Sequence, residues 1–314
     1  MSESKVQSTY KSKDTEEWID IHFTRPIGFL WARFFQKMNV HPNVVTILSI
    51  FLGIGAAFMF YYRDIVHNIL GVLLLMWANF YDSCDGQLAR MTGKKTQWGR
   101  MLDGFAGDVW FFGIYLAISL RLFNQEIPFT HTPWGLWIFA LCALSGIIFH
   151  ARQCQLADYY RNIHLYFLPG AASELDNSAQ QERILRNTPP KGNFWWRAFL
   201  RSYVSYTRTQ EKLTPAFQRL AGYIHGQLGD RIPDAFRHDF REKSLPLMKY
   251  ANMVTFNCRA LTLYIACLVD MPWIYPVVEI VVFTVVAEYM KFRHETMCEV
   301  FYERLKAGDY TEKD

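Results

Sequence analysis

The chain has 314 residues, 51% of them hydrophobic and 17% aromatic, with a formal charge of +4. Its mean hydropathy of −0.01 averages long apolar runs against polar stretches, which excludes a disordered chain, a collagen-like repeat and a small disulfide scaffold. The six cysteines (Cys84, Cys142, Cys154, Cys258, Cys267, Cys298) show no CxxC pair and no zinc spacing. Most sit in or beside apolar runs, where cysteine behaves as a small hydrophobe.

Residues 1–18 contain acids and no apolar core, so no signal peptide is expected there. The stretch 16–38 is aromatic, basic and amphipathic, and predicts a helix lying in the cytosolic headgroup layer. Six apolar stretches approach the length of a bilayer crossing: 44–62, 65–82, 101–120, 134–150, 250–269 and 273–290. Between the fourth and fifth, 151–249 reads as a helical insert with a polar linker at 171–193. Within it Trp195, Trp196, Phe199, Leu200 and Tyr203 alternate with Arg197 and Arg201. Such mixtures also serve nucleic acid. Beside a membrane the lipid interface is the favoured reading, and no nucleic-acid partner is expected.

The distribution of basic residues orients the chain. The connections 61–68, 121–133 and 270–272 hold only Arg63 and Arg121 as basic residues. The opposite side holds Lys5, Lys11, Lys13, Arg25, Arg33, Lys37, the 90–100 loop, the insert and the C-terminal tail. Positive residues stay in the cytosol, so both termini are expected there. The predicted fold is an all-α, polytopic membrane protein with six transmembrane helices, an N-terminal interfacial helix and a helical cytosolic insert. Its expected division is a cytosolic N-terminus (1–43), helices one to four (44–150), the insert (151–249), helices five and six (250–292) and a tail (293–314).

Charged residues inside a membrane span are costly and mark functional sites by default. The end of the second stretch and the start of the third hold Asp82, Asp85, Arg90, Asp103 and Asp108. Asp82 and Asp85, three apart, share one helix face. Carboxylates gathered at one point repel one another unless cations neutralise them, and magnesium binds one or two carboxylates together with substrate phosphates. Charge alone therefore predicts a cytosol-facing, intramembrane site for a metal-bound phosphate.

The spacing adds specificity. From Asp82 the chain reads D-x2-D-G-x2-A-R-x8-G-x3-D, ending at Asp103. Seven positions at fixed spacing resemble the signature of the CDP-alcohol phosphotransferase family. The segment Pro42-Asn43-Val44-Val45-Thr46 is similar to that family's Pro-Asn-x-x-Thr segment. The resemblance covers roughly 25–150 and 250–292 and leaves out most of the insert. It implies transfer of a phosphatidyl or other substituted phosphoryl group from a CDP-linked lipid or alcohol to a hydroxyl acceptor, with release of CMP. Also implied are two divalent ions, Mg2+ or Mn2+, held by Asp82, Asp85, Asp103 and a fourth acid that serves as general base, the role expected of Asp108. Arg90 would contact the diphosphate, Gly86, Ala89 and Gly99 would give the nucleotide room, and Asn43 and Thr46 would face cytidine. A homodimer within membrane lipid is the expected assembly.

One position departs from the pattern. The family signature ends D-x3-D, which calls for an acid at position 107, where this chain has Gly107 followed by Asp108. On a regular helix Asp108 is turned about 100° from the required direction. A π turn near Gly104 and Gly107 would restore its facing, and Asp108 is expected to take the fourth role in that way.

For the acceptor, Arg152, Arg259 and Arg293 could form a cationic pocket suited to inositol phosphate or another anionic polyol. The competing reading pairs Arg259 internally with Glu279 or Glu288. Those glutamates, if they lined the pocket, would instead favour CDP-ethanolamine or CDP-choline chemistry with diacylglycerol or ceramide. An intramembrane prenyltransferase fits less well, because an acid belongs four residues beyond the second aspartate of its motif, where this chain has Ala89. An ion transporter or an inactive scaffold are the readings from other classes.

Overall fold

The computed structural model describes residues 12–169, 175–229 and 232–310. Lys5 and Lys11, the start of the N-terminal segment, part of the 171–193 linker and the last four residues lie outside the described residues. The described chain is helical throughout, with no strand, and one isolated bridge joins Glu126 and Pro133. It forms two compact units, one of the residues up to Ala151 with Phe256–Val282, the other of Arg152–Thr255 with the residues from Phe283 onward.

The first unit opens with a π turn, Asp20–Thr24, that runs into α1 (Arg25–Lys37). Helix α2 (Pro42–Phe60) starts with proline at its first position, where the missing N–H costs nothing, and with His41 accepting from the Asn43 N–H at 3.2 Å. Helix α3 (Ile65–Thr92) ends at Gly93, whose φ of 69° is the left-handed conformation glycine adopts without strain. Helix α4 (Gln97–Leu122) begins directly after a four-residue loop, capped by Thr96, which accepts from Gly99 N–H at 2.9 Å. Helix α5 (Leu136–Ala143) continues through a π turn, Leu144–His150, into α6 (Ala151–Tyr166).

Small residues let these apolar helices approach closely, the usual device where lipid removes the hydrophobic drive between helices. A Cβ added at Gly71 would meet Phe60 at 2.8 Å, and one at Gly146 would meet Tyr115 at 2.8 Å. At Gly53 it would overlap the Trp110 indole outright. Trp110 is buried in a cluster with Ala57, Phe60, Ala106 and Ile114. Gly53→Ala is therefore expected to destabilise the first unit by about 1–3 kcal/mol through overpacking. Thermal unfolding in detergent would show it as a lowered midpoint, and an unchanged midpoint would contradict the α2–α4 contact.

Among the described residues four helices are long and apolar enough to cross a bilayer: Pro42–Phe60, Ile65–Thr92, Gln97–Leu122 and Leu136–Tyr166. The stretches at 250–269 and 273–290 behave differently from expectation. Helix α10 (Asp234–Met253) takes up the start of the first, leaving α11 (Phe256–Leu268) only 13 residues. At ~1.5 Å per residue that is about 20 Å, short of a hydrocarbon core of about 30 Å. The second stretch is divided into α12 (Ile274–Val278), a π turn, Glu279–Phe283, and the charged helix α13 (Thr284–Ala307).

The second unit contains α6, α7 (Ser178–Asn187), α8 (Phe194–Leu213), α9 (Pro215–Tyr223), α10 and α13. Phe167, Phe236, Phe240 and Phe301 pack ring against ring at its centre. Phe194 and Trp195, at the start of α8, are exposed, while Trp196, Phe199, Tyr203 and Tyr206 stack along one face of the helix.

Candidate active site

The carboxylates come from two consecutive helices. Asp82 and Asp85 lie on the last turns of α3 and Asp103 on the second turn of α4. One oxygen from each of the three lies within 4.8 Å of the others. The loop at Gly93 and the Thr96 cap return the chain in only four residues between the two helices, which is what brings the three acids together. Asp85 is buried, at 5% exposure, and accepts a 2.5 Å hydrogen bond from the Thr46 hydroxyl on α2. Thr46 thus orients a carboxylate, a contact that motif spacing did not reveal.

Hard oxygen donors at this spacing fit a divalent cation such as Mg2+ or Mn2+ and suit no soft metal. The donor set and its convergence are the test, and the three residues pass it.

Around the acids stand groups suited to a diphosphate. Arg90 lies two helical turns beyond Asp82, within electrostatic reach of Asp85 and Asp103. Its Nε and one terminal nitrogen are buried without a hydrogen-bond partner. Buried guanidinium donors left unpaired carry the full desolvation penalty, so this side chain is built to receive an acceptor. Gly86 lies beside it: a Cβ there would be 3.4 Å from a terminal nitrogen, an ordinary contact. Gly99 lies against Asn43, whose Oδ1 would be 3.1 Å from an added Cβ. Ala89 occupies the half-exposed side of α3 beside Arg90.

Helix α1 closes the other flank. A Cβ at Gly28 would meet the Ser83 hydroxyl at 3.0 Å, and Gln87 donates to the Arg25 carbonyl at 3.1 Å. Arg25 itself is held by Glu16 through two hydrogen bonds of 3.0 and 2.9 Å and lies within electrostatic reach of Asp82. Sequence spacing did not single out Glu16, upstream of α1, or Arg25, its first residue, as part of the site.

The fourth acid is a correction. Helix α4 is regular from Gln97 to Leu122, with no π turn at Gly104–Gly107. Asp108 therefore keeps its rotation away from the Asp103 face, and it does not join the three-carboxylate group. It lines a cavity of about 250 Å³ with Phe112, Leu116, Ile147 and His150. An added Cβ at Gly107 would meet nothing within 4 Å, so the space for an acid at that position is open.

The three arginines considered for the acceptor are engaged within their own units. Arg259, 1% exposed on α11, pairs with Glu279, the internal reading weighed above. Arg152 pairs with Glu288 at 2.5 Å, half exposed, and Arg293 donates to the Tyr289 hydroxyl at 2.8 Å. The surroundings of Glu279 were not anticipated. It accepts from Ser145 at 2.5 Å, from Tyr275 at 3.2 Å and from Tyr115, and lies 2.8 Å from His150 Nδ1.

Three carboxylates that could together hold a metal ion thus stand near Arg90, whose Nε and one terminal nitrogen have no hydrogen-bond partner. Residues 39–164 match the model of the CDP-alcohol phosphatidyltransferase family. The chain is 42% identical over 100 residues to an uncharacterised protein of Aquifex aeolicus, covering 32% of this chain and 42% of that one. It is 26% identical over 163 residues to a phosphatidylinositol phosphate synthase of Streptomyces avermitilis, covering 45% of this chain and 65% of the relative. An archaetidylinositol phosphate synthase of Pyrococcus horikoshii is 35% identical over 67 residues, 21% and 34% of the two chains. Each of these curated relatives is thus matched over less than two thirds of its own length.

Proposed function

We propose that this integral membrane protein transfers a phosphatidyl group from a CDP-linked lipid, such as CDP-diacylglycerol, to a hydroxyl acceptor and releases CMP. The observation that carries the reading is the convergence of Asp82, Asp85 and Asp103 next to the unpaired Arg90 guanidinium within the matched domain. Asp82, Asp85 and Asp103 would hold the divalent metal, which when bound neutralises diphosphate charge and polarises the phosphorus toward attack. Arg90 binds a diphosphate oxygen as a charge-assisted donor. Asn43 and Gly99, side by side, form the edge that admits the nucleotide, and Thr46 keeps Asp85 turned toward the metal position.

Inositol phosphate is the acceptor the reading favours, because the Streptomyces and Pyrococcus relatives are phosphatidylinositol phosphate and archaetidylinositol phosphate synthases. Arg259 no longer supports it, because its charge is neutralised by Glu279. The finer topology belongs to the same proposal: six crossings, both termini and the active site in the cytosol, and a homodimer in the membrane.

The test is CMP release by purified protein with CDP-diacylglycerol and Mg2+ or Mn2+. Inositol phosphate, inositol, glycerol phosphate and serine are offered in turn, and CDP-ethanolamine or CDP-choline with diacylglycerol is run separately. CMP formed with inositol phosphate supports the reading; CMP only from the aminoalcohol donors replaces it. In the active pair, Arg90→Ala is expected to weaken donor binding by about 10–100-fold, the scale of a hydrogen bond to a charged group. Titration with a non-hydrolysable CDP-lipid would check this, and unchanged affinity would remove Arg90 from the diphosphate site.

A further inference from the structure

Position 107 lacks the acid that would take a proton from the acceptor hydroxyl, so another group has to do so if the transfer proposed above occurs. Residues 103, 107 and 111 follow one another on one face of α4, about 6 Å apart along the axis. Asp103 belongs to the carboxylate group, Gly107 leaves open space, and the Phe111 ring packs against the His150 imidazole with centroids 4.5 Å apart. Side chains on a helix lean toward its N-terminus, so Phe111 leans back toward the gap at Gly107. His150 thus packs on the residue that follows Gly107 on this face of the helix. It also lines the cavity it shares with Asp108.

The imidazole is held as a base has to be. His150 Nδ1 lies 2.8 Å from Glu279 Oε1 and 3.1 Å from an Arg259 terminal nitrogen. In the tautomer that donates Nδ1–H to Glu279, the other ring nitrogen is the basic one. Glu279 is in turn fixed by Ser145, Tyr115, Tyr275 and Arg259. A nucleophile's base oriented by a buried carboxylate is the arrangement that fixes both ring direction and tautomer in hydrolases. A second observation points the same way. His150 closes the π turn Leu144–His150 and Glu279 opens the π turn Glu279–Phe283, two of the four π turns among the described residues. Single π turns inside α-helices collect at functional sites, and these two supply the two members of one hydrogen-bonded pair.

We infer that His150, oriented by Glu279, is the general base of this protein, in place of an acid at position 107. The acceptor O–H gives its proton to the imidazole as its oxygen bonds to the lipid-bearing phosphorus. The bond from that phosphorus to the CMP oxygen breaks, CMP leaves with the electron pair, and the imidazolium returns its proton to solvent. The charged and titratable groups facing His150 are Asp108 and Tyr115 from α4, Arg259 from α11, and Tyr275 and Glu279 from the α12 segment.

The inference rests on the proposed transferase reading, and the experiment separates the two. CMP release, its pH profile and CDP-lipid affinity are measured for wild type, His150→Gln and the double variant His150→Gln/Gly107→Asp. Glutamine keeps a hydrogen-bonding side chain but takes no proton. His150→Gln is expected to lose on the order of 10²-fold or more in kcat, the scale of general-base catalysis, with CDP-lipid affinity within about threefold of wild type as the check that it folds. Gly107→Asp on that background is expected to restore turnover, with the acidic limb of the pH profile moved to lower pH, because a carboxylate has replaced an imidazole. A merely structural histidine would give neither the rescue nor the shift. If His150→Gln turns over within twofold of wild type, the inference is overturned and the transferase reading stands. Wild type that binds CDP-lipid but forms no CMP with any acceptor overturns both.

Discussion

Asp85→Asn is expected to lower CMP formation by on the order of 10²–10³-fold, the scale of removing one preorganised electrostatic contact to a developing charge, without loss of the fold. Asparagine has nearly the same shape and can still accept the hydrogen bond that Thr46 donates to Asp85. What disappears is one of three negative charges held within 4.8 Å. Without metal, those charges repel one another in a medium less polar than water. The variant should therefore melt no lower than wild type in chelator, and higher if the repulsion dominates. With Mg2+ or Mn2+ the order reverses. An ion that binds only the folded wild-type site stabilises it by mass action, whereas the variant gains little. A paired set of melting curves, with chelator and with Mn2+, reads the metal site independently of turnover. A variant that keeps both its Mn2+-dependent rise in midpoint and its turnover would remove Asp85 from the site.

Much of the site could be read from the chain because its logic is local. Asp82 and Asp85 share a face by helical spacing, and a short loop capped by Thr96 has to return Asp103 to them. The Arg90 prediction depended only on a cation placed beside those acids. What the sequence concealed depends on helix register and on long-range packing. The expected π turn at Gly104–Gly107 is absent, and among the described residues π turns lie instead at 20–24, 144–150, 224–228 and 279–283, none of which the sequence reading singled out. Hydropathy read 250–269 as one crossing, yet α10 extends through Met253 and leaves a helix of 13 residues. Apolar composition does not encode where a helix breaks. Arg259 looked like a substrate contact because a buried cation is costly, and the same cost is met here by an internal carboxylate 20 residues along the chain.

Glu279→Gln is expected to be the most destabilising single change in the first unit, costing about 3–5 kcal/mol, the typical effect of removing one partner of a buried ion pair. Arg259 and Glu279 are both essentially inaccessible, at 1% and 0% exposure. Glutamine keeps the size and some hydrogen bonds to Ser145 and Tyr275, but it leaves the guanidinium uncompensated in a low-dielectric interior. The reciprocal change, Arg259→Met, strands the carboxylate and should cost a comparable amount. Replacing both, as Arg259→Met with Glu279→Leu, removes the two desolvation penalties together. The double variant is expected to be more stable than either single one, with a coupling energy well above the few tenths of a kcal/mol found for independent sites. Unfolding midpoints of the four proteins in one detergent complete the cycle, and additive single effects would contradict a direct pair. The stable double variant also loses the carboxylate that orients His150. If that carboxylate served packing alone, recovered stability would bring back turnover; if it orients the base, the double variant folds well and stays slow.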